Sequence, residues 1–282
     1  MAPSKKSAKA KARSKPNAND PRLEPIQAWF AQKQWTPLPF QQETWSAYLA
    51  GRNGLIQVPT GSGKTFAAVM GPMARMLAEE QPLKGIRLLY ITPLRALSRD
   101  LSLAIREPIE AMGWPIRVGI RNGDSSSSDR TKQLKTPPQI LVTTPESLAL
   151  LLSNAKAEEL FGQLQTVILD EWHELMGSKR GSQTELCLSW LRQLRPELQT
   201  WAISATIGNI AQAARHALGT AGDPQLIGGA PARSTEIQSI PPETIDGFPW
   251  AGAPWLADVR GAGGPAESRD QHLAVHQHPQ SV

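Results

Sequence analysis

At 282 residues the chain can bury one large core or two modest ones, and its one cysteine, Cys187, excludes an internal disulfide framework and a cysteine-rich zinc module. No apolar run approaches the ~20 residues of a membrane span and the start lacks an apolar signal-peptide core, so a reducing, cytoplasmic setting without membrane contact is expected. The net charge of +5 is concentrated at one end: Lys5, Lys6, Lys9, Lys11, Arg13 and Lys15 stand without an acid, which leaves 24 of the 30 bases against 25 acids.

In chain order, residues 1–22 read as a basic, disordered tail, because Ser, Ala and Lys cannot build a core. Such a tail can cling weakly to phosphate backbones or simply solubilise the chain, and both readings stay open. From 23 to 229 the pattern turns regular. Short apolar runs ("GLIQV", "RLLYIT", "IRVGI", "QILVT", "TVILD", "TWAIS") alternate with helical patterns such as "KTFAAVMGPMARMLAEE" and "TELCLSWLRQL". That alternation predicts an α/β domain, a parallel sheet with helices on both faces. Cys187, Trp190 and Trp201 fall at positions expected to pack in its core.

The first stretch with chemistry is "QVPTGSGKT", residues 57–65, between a predicted strand and a predicted helix. Gly61 and Gly63 let backbone N–H groups approach a phosphate with no Cβ in the way. Lys64 would reach the β- and γ-phosphates of a nucleotide, and the Thr65 hydroxyl would ligate Mg²⁺. The strict phosphate-loop pattern asks for glycine where this chain has Val58. The second stretch is "TVILDEWHEL", residues 166–175, in which a buried strand ends on Asp170 and Glu171. At the carboxyl edge of a parallel sheet, Asp170 would hold Mg²⁺ and Glu171 would orient and deprotonate an attacking water.

"PTGSGKT", then "DEWH", then "SAT" at 204–206 resembles a DExH-box helicase of superfamily 2, and "ITPLRALSRDL", "TTPESLALLLS" and "DEWHELMGSKRG" are similar to its large-helicase-related (Lhr) branch, in particular the ligase-associated DNA-repair helicases. The resemblance implies a RecA-like, P-loop fold and an ATP-dependent DNA helicase with ATP and Mg²⁺ as cofactors. It assigns Gln41 to adenine, Thr60, Gly61, Ser62, Gly63, Lys64 and Thr65 to the phosphates, and His173 to the γ-phosphate region. Ser204 and Thr206 would hydrogen-bond near Asp170 and Glu171, coupling nucleotide to DNA. Thr92 and Arg95, Gly123 and Asp124, and Thr144 and Glu146 would hold the nucleic acid, Arg95 by pairing a phosphate and Thr144 at a helix start. Lys179 and Arg180 suit either a phosphate or a solvated basic turn. Single-stranded DNA and duplex junctions are the implied partners, together with a ligase or nuclease, and the chain is expected to be monomeric. A non-catalytic nucleotide- and DNA-binding remnant is the alternative.

No Q-x-x-G-R-x-x-R pattern occurs in these residues, so the arginine finger of a second motor domain is not recognised. Residues 230–252 read as the start of an inter-domain linker. From Ala253 the composition changes, and the possible codons read one base later permit a continuation like the family's. From Leu273 the same shift permits Leu-Leu-Phe-Thr-Asn-Thr-Arg-Ser-Gln, which resembles the opening of a second helicase domain. Residues 253–282 are therefore expected to be an unstructured, out-of-frame tail. His272, His276 and His278 would be accidents of that frame, not a metal site.

Overall fold

The short apolar runs fold as strands of one sheet. The computed structural model describes residues 17–59, 61–205, 210–219 and 224–229; Thr60, Thr206, the tail before residue 17, the 230–252 linker and the 253–282 tail with its histidines lie outside the described residues. A 3-10 turn at Pro21–Leu23 leads into α1 (Glu24–Gln32), α2 (Pro39–Leu49), β1 (Gly54–Gln57) and α3 (Lys64–Leu77). Then come β2 (Leu88–Ile91), α4 (Arg95–Met112), β3 (Val118–Arg121), α5 (Ser127–Lys135), β4 (Ile140–Thr143), α6 (Pro145–Leu152) and α7 (Ala157–Phe161). The described part closes with β5 (Thr166–Leu169), α8 (Trp172–Leu175), α9 (Lys179–Leu194), β6 (Gln199–Ser204), α10 (Ile210–Leu218) and β7 (Gln225–Gly228).

The sheet order is β3-β4-β2-β5-β6-β1-β7, and every neighbouring pair is parallel. Parallel neighbours need crossovers, and helices supply them. Side chains alternate between two buried faces. Ile56, Tyr90, Val142, Ile168 and Ile203 pack with α1 to α4 on one side. Leu55, Leu89, Leu141, Val167 and Ala202 pack with α6 to α10 on the other. Burial on both faces is why these strands read as continuous apolar runs. Cys187 and Trp201 are core residues as expected, while Trp190 is only half-buried against the second face.

Polar residues fasten the edge of the sheet away from the motifs. The Asn53 side-chain oxygen accepts from Thr200 N at 3.0 Å, Gln199 donates to the carbonyls of Tyr48 and Arg52 at 2.9 Å each, and the Tyr48 and Thr166 hydroxyls meet at 2.6 Å. One boundary needs correction. The tail expected to stay disordered through residue 22 becomes regular sooner, because Asp20 accepts from Arg22 N at 3.0 Å, ion-pairs with its guanidinium and starts the 3-10 turn that buries Leu23. Composition hides this: one capping acid outweighs a polar context.

Candidate functional site

The loop after β1 is shaped by its glycines. Gly61 and Gly63 have φ of 77° and 83°, a left-handed conformation that L side chains resist. Gly63 is the residue before α3, whose first N–H groups have no partner within the helix and suit an anion. Val58, where the strict pattern has glycine, is a core residue whose N–H still bonds the Ser204 carbonyl at 3.3 Å. Gln41 reaches this loop from α2. Its side-chain oxygen accepts from Leu38 N at 2.9 Å and its amide donates to the Gly63 carbonyl at 3.1 Å, so it is buried and fixed. A Cβ on Gly63 would lie 2.8 Å from that amide.

The end of β5 carries the carboxylates. Asp170 N bonds the Ile91 carbonyl at 2.8 Å, which ties the residue to β2, and its side chain accepts from Glu171 N at 3.0 Å. Burial, then the charge of Glu171, push the Asp170 carboxyl up to about 6 against the opposing pull of Lys64. Glu171 has φ +41° and ψ 50°, left-handed for a residue with a Cβ, and this turns its carboxylate toward the phosphate loop. One of its oxygens pairs with Lys64, 107 residues earlier in the chain. The other makes no hydrogen bond and lies 3.5 Å from His173 Nδ1, which in turn meets the Ser204 hydroxyl at 3.0 Å.

The remaining motifs sit at the ends of β2, β3 and β4. Thr92 is buried and its N–H bonds the Thr143 carbonyl at 3.0 Å, joining two of these strand ends. Arg95 is exposed, 4.0 Å from the Asp124 carboxylate. It lies across Gly123, where an added Cβ would stand 2.8 Å from the guanidinium. Thr144 precedes the first residue of α6 but does not cap it with its side chain; the hydroxyl meets Ser147 at 3.3 Å. Glu146 pairs with both arms of the Arg180 guanidinium. Burial works against its charge, and Arg180 with the Thr144 hydroxyl outweighs that, holding the carboxyl below its usual range.

Residues 38–213, with all of these positions among them, match the DEAD/DEAH box helicase family. The chain belongs to that family. Among its curated relatives, the Lhr helicase/probable uracil glycosylase of Mycolicibacterium smegmatis is 38% identical over 224 residues, 75% of this chain and 15% of the relative. The ATP-dependent helicase Lhr-Core of Methanocaldococcus jannaschii is 34% identical over 79% of this chain and 28% of its own. The chain thus spans under a third of the length of these helicases. The structure of Mycobacterium smegmatis helicase Lhr bound to ssDNA and AMP-PNP superposes with a TM-score of 0.68 at 33% identity, over 76% of this chain and 29% of that one. The DUF1998 helicase MrfA bound to DNA gives 0.65 at 26% identity, over 78% and 31%. The fold is the RecA-like helicase fold, as expected.

Within this helicase domain the expected residues form two groups on one edge of the sheet. Gln41, Gly61, Ser62, Gly63, Lys64, Thr65, Asp170, Glu171, His173 and Ser204 gather where β1, β5 and β6 end; Thr92, Arg95, Gly123, Asp124, Thr144 and Glu146 gather where β2, β3 and β4 end. One expectation gains detail and another changes. The Ser204 hydroxyl, on the strand next to β5, meets His173 Nδ1 rather than a carboxylate oxygen, and that nitrogen is itself 3.5 Å from Glu171. Arg180 is committed to Glu146, so neither is a free phosphate ligand or acceptor. Sequence reasoning gave Trp172 no role; its buried indole donates to the Ala213 carbonyl at 3.1 Å and pins the "DEWH" segment to α10. No local signal announces a partner 41 residues away. Among the described residues no helix is long and apolar enough to cross a membrane.

Proposed function

We propose that the chain is the ATP-binding part of an ATP-dependent DNA helicase, taking Mg²⁺–ATP at the ends of β1, β5 and β6 and a single DNA strand at the ends of β2, β3 and β4. The observation that carries this reading is the sheet order, which sorts the two sets of residues into adjacent halves of one carboxyl edge. The AMP-PNP and DNA bound in the similar structures agree with it.

The residues fit Mg²⁺–ATP chemically. Thr65 and Asp170 are hard oxygen donors, and a carboxylate as desolvated as Asp170 gains from a cation. When bound, the ion would neutralise charge on the β- and γ-phosphates. The chain's own part begins with Lys64, which pairs with Glu171. A terminal phosphate competes for that ammonium, and exchange of partners frees the Glu171 carboxylate to accept a proton from water. His173 Nδ1 stands between the second Glu171 oxygen, at 3.5 Å, and the Ser204 hydroxyl of β6, at 3.0 Å, and would relay the carboxylate's position to that strand. Gln41 would hold the adenine edge while its amide senses the loop through Gly63. Across the divide, Arg95 offers an exposed guanidinium to a phosphate in place of Asp124.

A role in DNA repair, action at duplex junctions, a ligase or nuclease partner and a monomeric, cytoplasmic protein belong to the same reading. So does the out-of-frame tail from Ala253, which translation of the coding DNA one base over would test: the reading requires a second helicase domain to continue in that frame. The direct experiment is titration of the 282-residue chain with a non-hydrolysable ATP analogue, with and without Mg²⁺ and oligo(dT). Weak, Mg²⁺-dependent nucleotide binding that oligo(dT) strengthens is expected. No Mg²⁺-dependent binding would reject the reading.

A further inference from the structure

Tyr90 is the third residue of β2, in register with Ile168 of β5. Residues two apart on a strand share a face, so Tyr90 and Asp170 are diagonal neighbours on the face that α3 covers. The strand residues that flank it on this face, Leu88, Val142 and Ile168, are aliphatic. A phenylalanine would fill the same space, so the hydroxyl needs its own explanation. It is fully buried and makes no hydrogen bond of ordinary geometry, an arrangement that folded proteins rarely tolerate without a use. Its surroundings are nevertheless polar. Burial raises its proton affinity most, the Asp170 carboxylate next and then Glu171, while the Thr65 hydroxyl acts in the opposite sense. Tyr90 in turn favours the charged form of Asp170. The orphan donor thus lies beneath the two residues, Thr65 and Asp170, that the proposed function gives to Mg²⁺.

We infer that Tyr90 is a positioning residue of the nucleotide site: its hydroxyl, unpaired in this structure, is the donor that the Asp170 carboxylate takes up from inside the sheet when it is presented to the metal–nucleotide complex. The inference rests on the Mg²⁺–ATP reading. A carboxylate that must hold an ion through one oxygen is oriented by what its other lone pairs accept, and outer partners of this kind govern metal affinity. The same hydroxyl can accept from Thr65 while it donates to Asp170, which would tie the loop's oxygen to the strand's.

The test uses Tyr90→Phe in the full chain, with a non-hydrolysable ATP analogue titrated in Mg²⁺ and in a chelator. The affinity gained from Mg²⁺ should fall by roughly ten- to a hundredfold. Binding in chelator should match the parent, and the melting temperature without nucleotide should stay level or rise, since an unsatisfied donor is gone. In an Asp170→Ala background, Tyr90→Phe should have no further effect on the metal dependence. A parent that shows no Mg²⁺-dependent binding overturns this inference together with the function beneath it. A parent that binds and a Tyr90→Phe variant that matches it overturn the inference alone. Equal losses with and without Mg²⁺, or a melting loss as large as that of Tyr90→Leu, would mark a packing role and overturn it as well.

Discussion

Asp170 holds its proton more tightly in the fold than in the unfolded chain, at about 6 against an ordinary 3.8. Stability from this group is therefore fully present below about pH 4, declines as pH rises, and is gone above about pH 6. The loss is on the order of 3 kcal/mol at most. Asp170→Asn cannot ionise, so it should melt above the parent at pH 7.5 and converge with it near pH 4. Thermal melts at both pH values decide this, and a variant less stable at each would contradict the reading. Lys64 makes a different prediction. Lys64→Ala removes the ammonium that leaves Glu171 for a terminal phosphate, so ATP affinity should drop about 10- to 100-fold, as loss of a charge-assisted hydrogen bond implies. Adenosine affinity should hardly change; equal losses for both would place Lys64 away from the phosphates. The chemistry proposed for both residues is legible in "GKT" and "DE", because glycine-bounded loops and strand-end acids are local patterns. The buried, unpaired hydroxyl of Tyr90 is not, since nothing in "RLLYIT" distinguishes it from an ordinary strand aromatic.

At the scale of elements, the six apolar runs read as strands all form strands, and the helix after the phosphate loop begins at Lys64. Periodicity and turn residues are local, so they could be read without the fold. What joins the elements is not local. Glu146 and Arg180 are 34 residues apart, Ser204 and His173 are 31, and each pair forms only because the sheet order brings its strands or helices together. The junction of α8 and α9 shows how tight such joins are. Ser178 caps α9 by accepting from Gly181 N at 3.1 Å, and a Cβ on Gly181 would stand 2.0 Å from the Leu175 carbonyl oxygen. Gly181→Ala must therefore push α9 off α8, the element that carries His173. It should cost about 1–3 kcal/mol and lower the melting temperature by roughly 2–4 °C for each of them. Weakened Mg²⁺–ATP binding should accompany it. Ser182→Ala, next door and exposed, is the control and should melt within a degree or so of the parent.

The described domain brings the positions proposed for nucleotide and for DNA onto one edge, yet these 282 residues contain no Q-x-x-G-R-x-x-R pattern to supply an arginine finger. Loss of such a finger costs a factor of ~10³–10⁵ in related phosphoryl transfers. Tested as it stands, the chain should bind ATP but turn it over slowly, and Glu171→Gln should change that rate little. A single-turnover assay with oligo(dT) checks both, and a large drop in Glu171→Gln would mean that the base is already engaged. The sheet order has a consequence for how such a chain is made. β1 lies between β6 and β7, and the Asn53 side chain that sets its start waits for Thr200, 147 residues later. At about 5–20 residues per second, a ribosome exposes the apolar β1 and the loop behind it for roughly 7–30 s before a neighbouring strand exists. Through that interval the nascent segment has no strand partner, and folding from denaturant should be slow as well, because the pairing of β1 with β6 joins residues far apart in the chain.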